Sequence, residues 1–534
     1  MKALSFRLWF AVLGLAAAGL HGCTVHVDVL QSSSDSPCRV AVEPVDFSRP
    51  DAVVGDGTAA GCTEDALNAA VASGGAIRFH CGSAPVTIPV TAEKVVAHDT
   101  VIDGGGTVTL DGGKATRLFV VGAAGGRPVT LTLQYITLQG GRATVTPASA
   151  GGPSTVGGGA VLQFGGSLVI TDSVLRDNDA TAGGPDQAGG AVCSLGGRLV
   201  IARSLLDGNR SGSGGAVAVL DSELTLVRSQ LTNNRAVGQG TGAQGIGGAL
   251  LVSQQGQSVG MCQVHMSGNQ ASTFGTAMHL QGIRGESMTL EQLAVLNNLS
   301  SSESGGGSAI FLGMVTARLA SVTVAGNQGK ETPGVWVNGG GQGGQAATID
   351  FSNVTIAENR VFQHTDATKD GVGAALWIEG VVHGSLVNCT LAGNLGGFGA
   401  GIVHPHQLRV RNTIIANQAT MPRNPLNCSD LGMPTVPADG EYVLQWPDEG
   451  LDTGLCATGA TFVDPRLGRL QDNGGFAPSM MPEPDSPALG AGSDCPSTDA
   501  RGHARAPRCT VGAVEADGTG GTCPSCSLLD ASPL

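Results

Sequence analysis

Aromatic and charged side chains are scarce in this chain. Aromatic residues make up 4% of its 534 residues, and charged residues make up 13%. The 29 Lys and Arg residues form no run interleaved with aromatics, which argues against a nucleic-acid partner. Because aromatic residues are so few, the sequence disfavours a broad globular core filled by aromatic rings. Glycine contributes 84 residues without a collagen-like period, and aliphatic residues are abundant, which suits a narrow core of stacked aliphatic side chains.

One long apolar run stands out, and it lies near the N-terminus. Basic residues precede an apolar stretch at 8–20, which is too short for a spanning helix and predicts a signal peptide over 1–22. The following Leu20-His21-Gly22-Cys23 resembles the lipobox of bacterial lipoproteins, in which the cysteine thiol is acylated. We therefore expect lipidation at Cys23, membrane attachment through that lipid, an outer-membrane or cell-surface location, and a flexible tether over 23–50. His21 replaces the usual small residue, so an ordinary signal peptide cleaved nearby is the alternative.

Cysteine usage agrees with export. The chain has 13 cysteines, and setting Cys23 aside leaves an even number, as expected in an oxidising compartment. Candidate disulfides between cysteines close in sequence are Cys62–Cys81 and Cys495–Cys509, with Cys428–Cys456 and Cys523–Cys526 as further pairs.

Two short motifs alternate over residues 126–425. The first is a glycine-rich turn that runs into small and aliphatic residues, as in Gly158-Gly159-Ala160-Val161. The second is an aliphatic residue three positions before an asparagine. Its asparagines are Asn178, Asn209, Asn234, Asn269, Asn298, Asn327, Asn359 and Asn394. Their spacing varies while the preceding residues keep the same pattern, which indicates one repeat whose turns differ in length.

The residues before each asparagine show strand alternation. Leu168 and Ile170 alternate with polar positions, the pattern of a strand with one buried face. The alternation then resumes in opposite phase, as at Val322 and Val324, which predicts a corner between two strands. Asparagine would end the second strand, because it tolerates the left-handed conformation of tight turns, and stacked asparagines can form a hydrogen-bonded ladder. With the Gly-Gly-Ala strand as a third side, the sequence predicts an all-β, single-stranded parallel β-helix.

Both ends of such a solenoid need cover, because open sheet edges promote aggregation. Thr63 followed by Glu64 and Asp65 predicts a helix N-cap with acids in the first turn, and 66–72 predicts a short capping helix. We assign the N-terminal cap and first turns to 51–125, a C-terminal cap to 426–515 and a tail to 516–534.

The two repeat motifs resemble those of chlamydial polymorphic outer membrane proteins and related bacterial right-handed β-helix proteins. This resemblance implies a right-handed, pectin lyase-like solenoid. The C-terminal region is similar to the choice-of-anchor Q domain, in which different surface anchors follow a β-helix, and we expect the lipid at Cys23 to replace such an anchor. The motifs that carry this second resemblance are Phe462-Val463-Asp464-Pro465-Arg466-Leu467, Asp472-Asn473-Gly474-Gly475, Asp485-Ser486-Pro487-Ala488, Thr498-Asp499-Ala500-Arg501-Gly502 and Val511-Gly512-Ala513-Val514-Glu515.

A polysaccharide lyase or glycoside hydrolase is the alternative function, because pectin-active enzymes share this architecture. The hydrolases need paired carboxylates, and the lyases need an acidic Ca²⁺ cage with a basic residue at the sugar. The positions six and two residues before the asparagines do not collect acids. We therefore expect no catalytic residue, no metal site and no cofactor, with Ca²⁺ relevant only to the enzyme alternative.

One face of the Gly-Gly-Ala strand suggests a binding site. In each Gly-Gly-Ala strand, the residue directly after the buried aliphatic residue is expected to point away from the core. These residues stack from turn to turn, and we call their series the outward file. Over four consecutive turns it consists of His279, Phe311, Trp336 and Trp377, with Asn338 and Glu379 beside it. Exposed stacked aromatics with polar neighbours suit a sugar chain or a protein partner. We expect a non-catalytic surface adhesin or envelope-interaction protein, unless long turns fold over the file and bury it.

Overall fold

A computed structural model describes most of the chain from Cys38 to Ala516. The described residues are 38, 42–46, 48–143, 157–181, 187–238, 245–253, 255–283, 285–300, 306–340, 344–362, 373–396, 399–417, 427–431, 436–447 and 454–516. The predicted signal peptide and the lipidation site at Cys23 lie outside these residues, as do most of the tether and nearly all of the tail. Within the described part, no helix is long and apolar enough to cross a membrane.

Stacked parallel strands form the body of the molecule, as predicted. The chain winds through parallel sheets, of which the third contains seven described strands and so is formed by only part of the turns, and aliphatic side chains from successive turns form one continuous core. We number the sheets 1 to 3. Sheet 1 bends at a corner into two ladders, and sheet 2 contains the Gly-Gly-Ala strands. The fold is therefore an all-β parallel β-helix.

The strands divide among the sheets as follows. The first ladder of sheet 1 consists of Ala52–Val54, Gly75–Phe79, Thr100–Asp111, Thr130–Gln139, Ser167–Thr171, Arg198–Ala202, Glu223–Val227, Val259–Ser267, Ser287–Leu296, Thr316–Ala320, Ala347–Ser352, Val382–Val387, Leu408–Arg411 and Asp439–Glu441. The second ladder contains the C-terminal parts of the four longest of these strands together with Val86–Pro89, Val174–Arg176, Leu205–Asp207, Gln230–Thr232, Thr323–Ala325, Thr355–Ala357, Thr390–Ala392, Ile414–Ala416, Leu444–Trp446 and Thr461–Phe462. Sheet 2 consists of Lys94–Val96, Phe119–Val121, Val161–Phe164, Val192–Leu195, Val217–Leu220, Leu250–Ser253, Met278–Gln281, Ile310–Gly313, Val335–Asn338, Leu376–Glu379, Ile402–Val403 and Cys428–Ser429.

Sheet 3 was not predicted. It consists of two-residue strands at Asp179–Ala180, Arg210–Ser211, Arg235–Ala236, Gln270–Ala271, Leu299–Ser300, Gln328–Gly329 and Arg360–Val361. Each follows the asparagine of its turn. Strands this short leave no alternation to detect in the sequence, because a period of two needs several residues to become visible.

The predicted change of phase in sheet 1 is a corner. Leu168 and Ile170 before it, and Leu175 after it, are all fully buried. Between them Asp172 has a φ of 51°, in the left-handed region, and the equivalent residues Arg203 and Arg228 have φ values of 46° and 49°. One left-handed residue between two strands turns the chain and shifts the alternation by one, which explains the pattern read from the sequence.

The asparagine ladder is present and longer than predicted. It runs through Asn178, Asn209, Asn234, Asn269, Asn298, Asn327, Asn359, Asn394, Asn417 and Asn427. Each Nδ2 donates to the Oδ1 of the next asparagine at 2.9–3.0 Å. The reason given for asparagine was wrong, since the left-handed residue is the one before it, for example Asp177 at φ 55°. The asparagine itself is selected as a buried donor and acceptor.

The helix predicted at the N-terminal end is confirmed as α1, Glu64–Ser73. The hydroxyl of Thr63 accepts the backbone N–H of Ala66 at 3.2 Å, as an N-cap does. Leu67 is buried against the first turns, and Lys94 of sheet 2 pairs with Glu64. Two short 3₁₀ helices lie at Ala59–Gly61 and Pro405–Gln407.

Among the described residues, disulfides join four pairs of cysteines. Cys62–Cys81, Cys495–Cys509 and Cys428–Cys456 are bonded as predicted, with Cα–Cα distances of 5.6, 6.4 and 5.2 Å. A fourth bond joins Cys38 to Cys262, which are 224 residues apart in sequence. Cys193 and Cys389 are buried and not bonded to another cysteine.

The segment that follows Cys38 packs along the sheet 1 corner, and we call its described residues, 38, 42–46 and 48–50, the N-terminal strap. Val42 and Cys38 pack against Ala202 and Val227. Farther along, the backbone N–H of Val45 donates to Oε1 of Gln134 at 2.9 Å, and Nε2 of Gln134 donates back to the Val45 carbonyl at 3.1 Å. The strap therefore runs from the turn of Cys262 towards the N-terminal end of the solenoid.

The chain beyond the last turn folds back along the same corner, and we call 464–516 the return segment. It contains an antiparallel pair of strands, Leu467–Gln471 and Ser479–Pro482. Corner side chains of four successive turns donate to its backbone carbonyls. These bonds are Thr323 to Pro478 at 2.8 Å, Asn353 to Thr498 at 2.9 Å, Asn388 to Thr510 at 3.1 Å and Asn412 to Ser493 at 2.8 Å. The return segment therefore lies alongside the solenoid.

Candidate ligand face and a histidine cluster

The outward file of sheet 2 has the predicted register. Its aromatic part pairs, turn by turn, in the order His279, Phe311, Trp336 and Trp377. The inward residues one position earlier are fully buried and are Met278, Ile310, Val335 and Leu376. The parallel sheet therefore brings together all four side chains that the sequence analysis selected.

The four rings form a continuous stack. The imidazole of His279 lies parallel to the ring of Phe311 with centroids 4.3 Å apart, and the two indoles, Trp336 and Trp377, stack with centroids 4.4 Å apart. Between these pairs, Phe311 meets Trp336 edge-on at 5.5 Å. These distances follow from the spacing of neighbouring strands, which is about 4.8 Å. Each aromatic pair stabilises the stack by about 0.5–1.5 kcal/mol beyond the area it buries.

The prediction that these rings are exposed is wrong for three of them. The exposed fractions of His279, Phe311 and Trp336 are 7%, 8% and 7%, and Trp377 is half-buried. The ring of Phe274 lies edge-on to Trp336, with centroids 4.9 Å apart. A Cβ at Gly306 would overlap the Phe274 ring and lie 2.9 Å from Cζ3 of Trp336. The turns between sheets 3 and 2 thus fold over the file, which was the alternative.

Polar side chains gather at the more open end of the file. Nε1 of Trp336 donates to Oε2 of Glu379 at 3.1 Å, and Nδ2 of Asn338 donates to the same oxygen at 2.7 Å. Both predicted polar neighbours are therefore tied to the stack. Burial raises the pKa of Glu331, and the Glu379 carboxylate adds to this effect while Lys330 opposes it.

Two nitrogen atoms of the file are buried without a hydrogen-bond partner in the part of the chain that the structure describes. They are Nδ1 of His279 and Nε1 of Trp377. Burial lowers the pKa of His279 to about 3, so its ring is neutral at neutral pH. An unpaired buried donor costs about 1–3 kcal/mol. The Trp377 indole N–H is therefore a destabilising feature of the stack, although the Trp377 side chain as a whole is half-buried.

A second polar cluster lies one turn beyond Trp377 in sheet 2. Val403 pairs with Trp377 on one side and with Ser429 on the other, and the residues that follow these strands are His404 and Asp430. Nδ1 of His404 is 2.9 Å from Oδ1 of Asp430, and Nδ1 of His406 is 3.4 Å from the same oxygen. We call these three residues the histidine cluster.

Sequence reasoning missed this cluster, and no metal site was expected. The His404-Pro405-His406 triplet was the available signal. Asp430 lies 26 residues beyond His404 and belongs to the next turn. No Gly-Gly-Ala motif precedes Cys428–Ser429, so the register that brings the carboxylate to the imidazoles was not readable.

Comparisons with known proteins add no information to the geometry described above. No protein-family model matches the chain, and no curated protein or solved structure matches it. The class of fold, a parallel β-helix, therefore rests on the strand pairings described above.

Proposed function

We propose that this chain is an exported, non-catalytic β-helix protein that binds a glycan at the open end of the outward file. One observation carries the proposal. Trp377 is the half-exposed ring at the end of a four-ring stack whose other three rings are covered, and the half-exposed Glu379 and Asn338 lie beside it. A sugar ring offers C–H groups for the aromatic face and hydroxyl groups for the carboxylate and the amide.

The burial pattern limits the ligand that this face accepts. His279, Phe311 and Trp336 are covered by turns, so a polysaccharide would not lie across all four rings. Contact would concentrate on Trp377, Glu379 and Asn338. The proposed site is therefore one or two sugar units wide, smaller than the groove expected from the sequence.

A surface location is part of the proposal. The apolar 8–20 stretch and the Leu20–Cys23 motif support export and acylation at Cys23, with anchoring in the outer membrane or on the cell surface. The four disulfides support an oxidising compartment. The N-terminal strap is bonded at Cys38 to Cys262 in the middle of the solenoid. A lipid at Cys23 would therefore be separated from this attachment point by 15 residues of chain.

We also propose that the return segment is a choice-of-anchor Q-like domain appended to repeats of the polymorphic outer membrane protein kind. Its motif residues support this, because they form one hydrogen-bonded unit. The Asp499 carboxylate accepts the backbone N–H groups of Arg501 at 2.8 Å and of Glu515 at 2.9 Å. Glu515 in turn accepts the guanidinium of Arg505 and the backbone N–H of Thr510.

Binding to a glycan array, followed by titration with the best-bound oligosaccharide, tests the function. We expect Trp377→Ala to weaken binding by at least about tenfold, which corresponds to about 1.4 kcal/mol, and Glu379→Gln to weaken it less. Trp446→Phe is the matched control, because Trp446 lies in sheet 1, away from the file.

Two results would overturn the proposal. Equal affinities for Trp377→Ala and the unsubstituted chain would remove the site. Depolymerisation of a uronate polymer panel, with or without Ca²⁺, would favour the polysaccharide lyase or hydrolase alternative.

A further inference from the structure

We propose that His404, His406 and Asp430 bind a divalent transition-metal ion of the Zn²⁺ class. One ligand atom from each residue lies within 4.8 Å of the other two. Oδ1 of Asp430 is 2.9 Å from Nδ1 of His404 and 3.4 Å from Nδ1 of His406. In a tetrahedral zinc site with bonds of about 2.0–2.2 Å, neighbouring donor atoms are about 3.3 Å apart. The two nitrogen–oxygen distances of the cluster therefore lie near the tetrahedral value, and all three ligand atoms lie within 4.8 Å of one another.

The backbone holds the two imidazoles close together. His404 has a φ of 60°, so the chain turns sharply at the end of strand Ile402–Val403. The 3₁₀ helix Pro405–Gln407 then returns His406 to the same side, with the two ring centroids 6.1 Å apart. This helix is fixed at its end, because Oε1 of Gln407 accepts the backbone N–H of Val382 at 2.8 Å. The His-x-His spacing is thus held by the fold.

The carboxylate is held by separate contacts. Asp430 is buried, with 4% of its side chain exposed, and it follows a strand whose Cys428 is bonded to Cys456. Its other oxygen, Oδ2, accepts the backbone N–H of Val436 at 2.7 Å. This hydrogen bond orients Oδ1 towards the imidazoles, in the way that outer-shell partners orient metal ligands.

The mixed donor set and the exposure of the cluster select the kind of ion. Imidazole nitrogens favour Zn²⁺, Cu²⁺ or Ni²⁺ over Ca²⁺ and Mg²⁺, which prefer oxygen ligands. The side chains of His404 and His406 are 23% and 41% exposed, so an ion can enter from solvent. Three protein ligands leave the fourth tetrahedral position open to water or to a donor from a partner molecule.

Isothermal titration of the full, untagged chain with Zn²⁺, after removal of metal with a chelator, tests the proposal. We expect one equivalent to bind, and Co²⁺ to give the visible absorption of a tetrahedral site. Because loss of an outer partner alone weakens metal sites by about 10–100-fold, each of His404→Ala, His406→Ala and Asp430→Asn should weaken binding by at least about tenfold. His383→Ala removes an exposed histidine of sheet 1 and serves as the matched control.

Far-UV circular dichroism of each variant shows whether the β-helix is retained. A folded chain that binds no stoichiometric Zn²⁺ would overturn the proposal. Binding that survives all three substitutions, or that His383→Ala weakens equally, would also overturn it, because the ion would then bind elsewhere. Both results are independent of glycan binding at Trp377.

Discussion

His279 illustrates how the cover over the outward file determines the charge of a side chain. The sequence predicted an exposed imidazole, whereas the ring is 7% exposed and stacked on Phe311. Removal from water disfavours the charged form and lowers the pKa of His279 to about 3. The unfolded chain therefore binds a proton between about pH 3 and pH 6.5 that the folded chain does not bind, so stability rises with pH across this window.

We predict that His279→Phe removes part of this pH dependence. In the unsubstituted chain, the neutral His279 ring leaves the free energy of unfolding unreduced above about pH 6.5. Below that pH the unfolded chain takes up a proton at His279, so the free energy of unfolding declines as the pH falls towards 3. Relative to pH 7, the penalty at pH 5 amounts to about 2 kcal/mol. Phenylalanine keeps the stack and cannot be protonated. Urea unfolding of both chains at pH 5 and pH 7 measures the difference.

The same measurements on His383→Phe control for the loss of an exposed histidine. Burial also lowers the pKa of His265, so His279→Phe should retain some dependence. An unchanged difference in stability between pH 5 and pH 7 in His279→Phe would show that His279 is protonated to the same extent in the folded and unfolded chains.

At the residue scale, positions along a strand were predictable and their surroundings were not. The register from His279 to Trp377 follows from the repeated motif, because every strand of a parallel sheet pairs with its neighbour at the same offset. Burial depended on Phe274 and Gly306, which lie in turns of variable length. The histidine cluster escaped prediction because no Gly-Gly-Ala motif marks the strand Cys428–Ser429, which precedes Asp430.

At the scale of elements, the asparagine ladder is the most regular feature of the molecule. Nδ2 of Asn269 donates to Oδ1 of Asn298 and to the Leu231 carbonyl, both at 2.9 Å. Its Oδ1 accepts the backbone N–H and the Nδ2 of Asn234, both at 3.0 Å. All of these groups are buried, so each ladder member satisfies backbone groups that water cannot reach.

We predict that Asn269→Ala destabilises the β-helix by about 3 kcal/mol, because it leaves the Asn234 N–H and the Leu231 carbonyl buried with fewer partners. The shift of the urea midpoint measures this loss. Asn68→Ala is the control, since Asn68 is exposed on α1 and its substitution should change stability by less than about 0.5 kcal/mol. Equal shifts for the two variants would mean that the ladder is stabilised by strand pairing alone.

Elements were predictable where they repeat. The two ladders of sheet 1, the strands of sheet 2 and helix α1 each left a periodic or capping signal, such as Leu168 and Ile170 or Thr63. Sheet 3 left none, because its strands are two residues long. In the first turns, the sheet 2 strands Lys94–Val96 and Phe119–Val121 are not preceded by the Gly-Gly-Ala motif, and the one earlier copy, Gly74-Gly75-Ala76, begins a strand of sheet 1; these strands were recognisable only as part of an N-terminal cap.

At the scale of the whole molecule, the first and the last described segments both lie along the corner of sheet 1. The N-terminal strap covers the turns from Gln134 to Cys262, and the return segment covers those from Thr323 to Asn412. The described corner residues between them include Gln263 and Gln292, whose side chains hydrogen-bond to each other at 2.8 Å. Neither segment repeats, so the sequence contained no periodic signal from which this placement could be derived.

The Cys38–Cys262 bond makes the N-terminal strap part of the folded unit. It closes a loop of 224 residues, and loop-closure entropy assigns such a bond a stabilisation of about 5 kcal/mol. We predict that Cys38→Ser with Cys262→Ser lowers the unfolding temperature and loosens the strap, which then depends on contacts such as the Val45–Gln134 hydrogen bonds and the packing of Val42. Amide exchange should then rise in the strap and at Ala202 and Val227, which it covers.

Removing the local Cys495–Cys509 bond, whose partners are 14 residues apart, is the control and should leave the exchange of these amides unchanged. If the amides of Ala202 and Val227 stay protected from exchange in the variant without Cys38, their protection comes from sheet 1 itself and not from the disulfide-bonded strap.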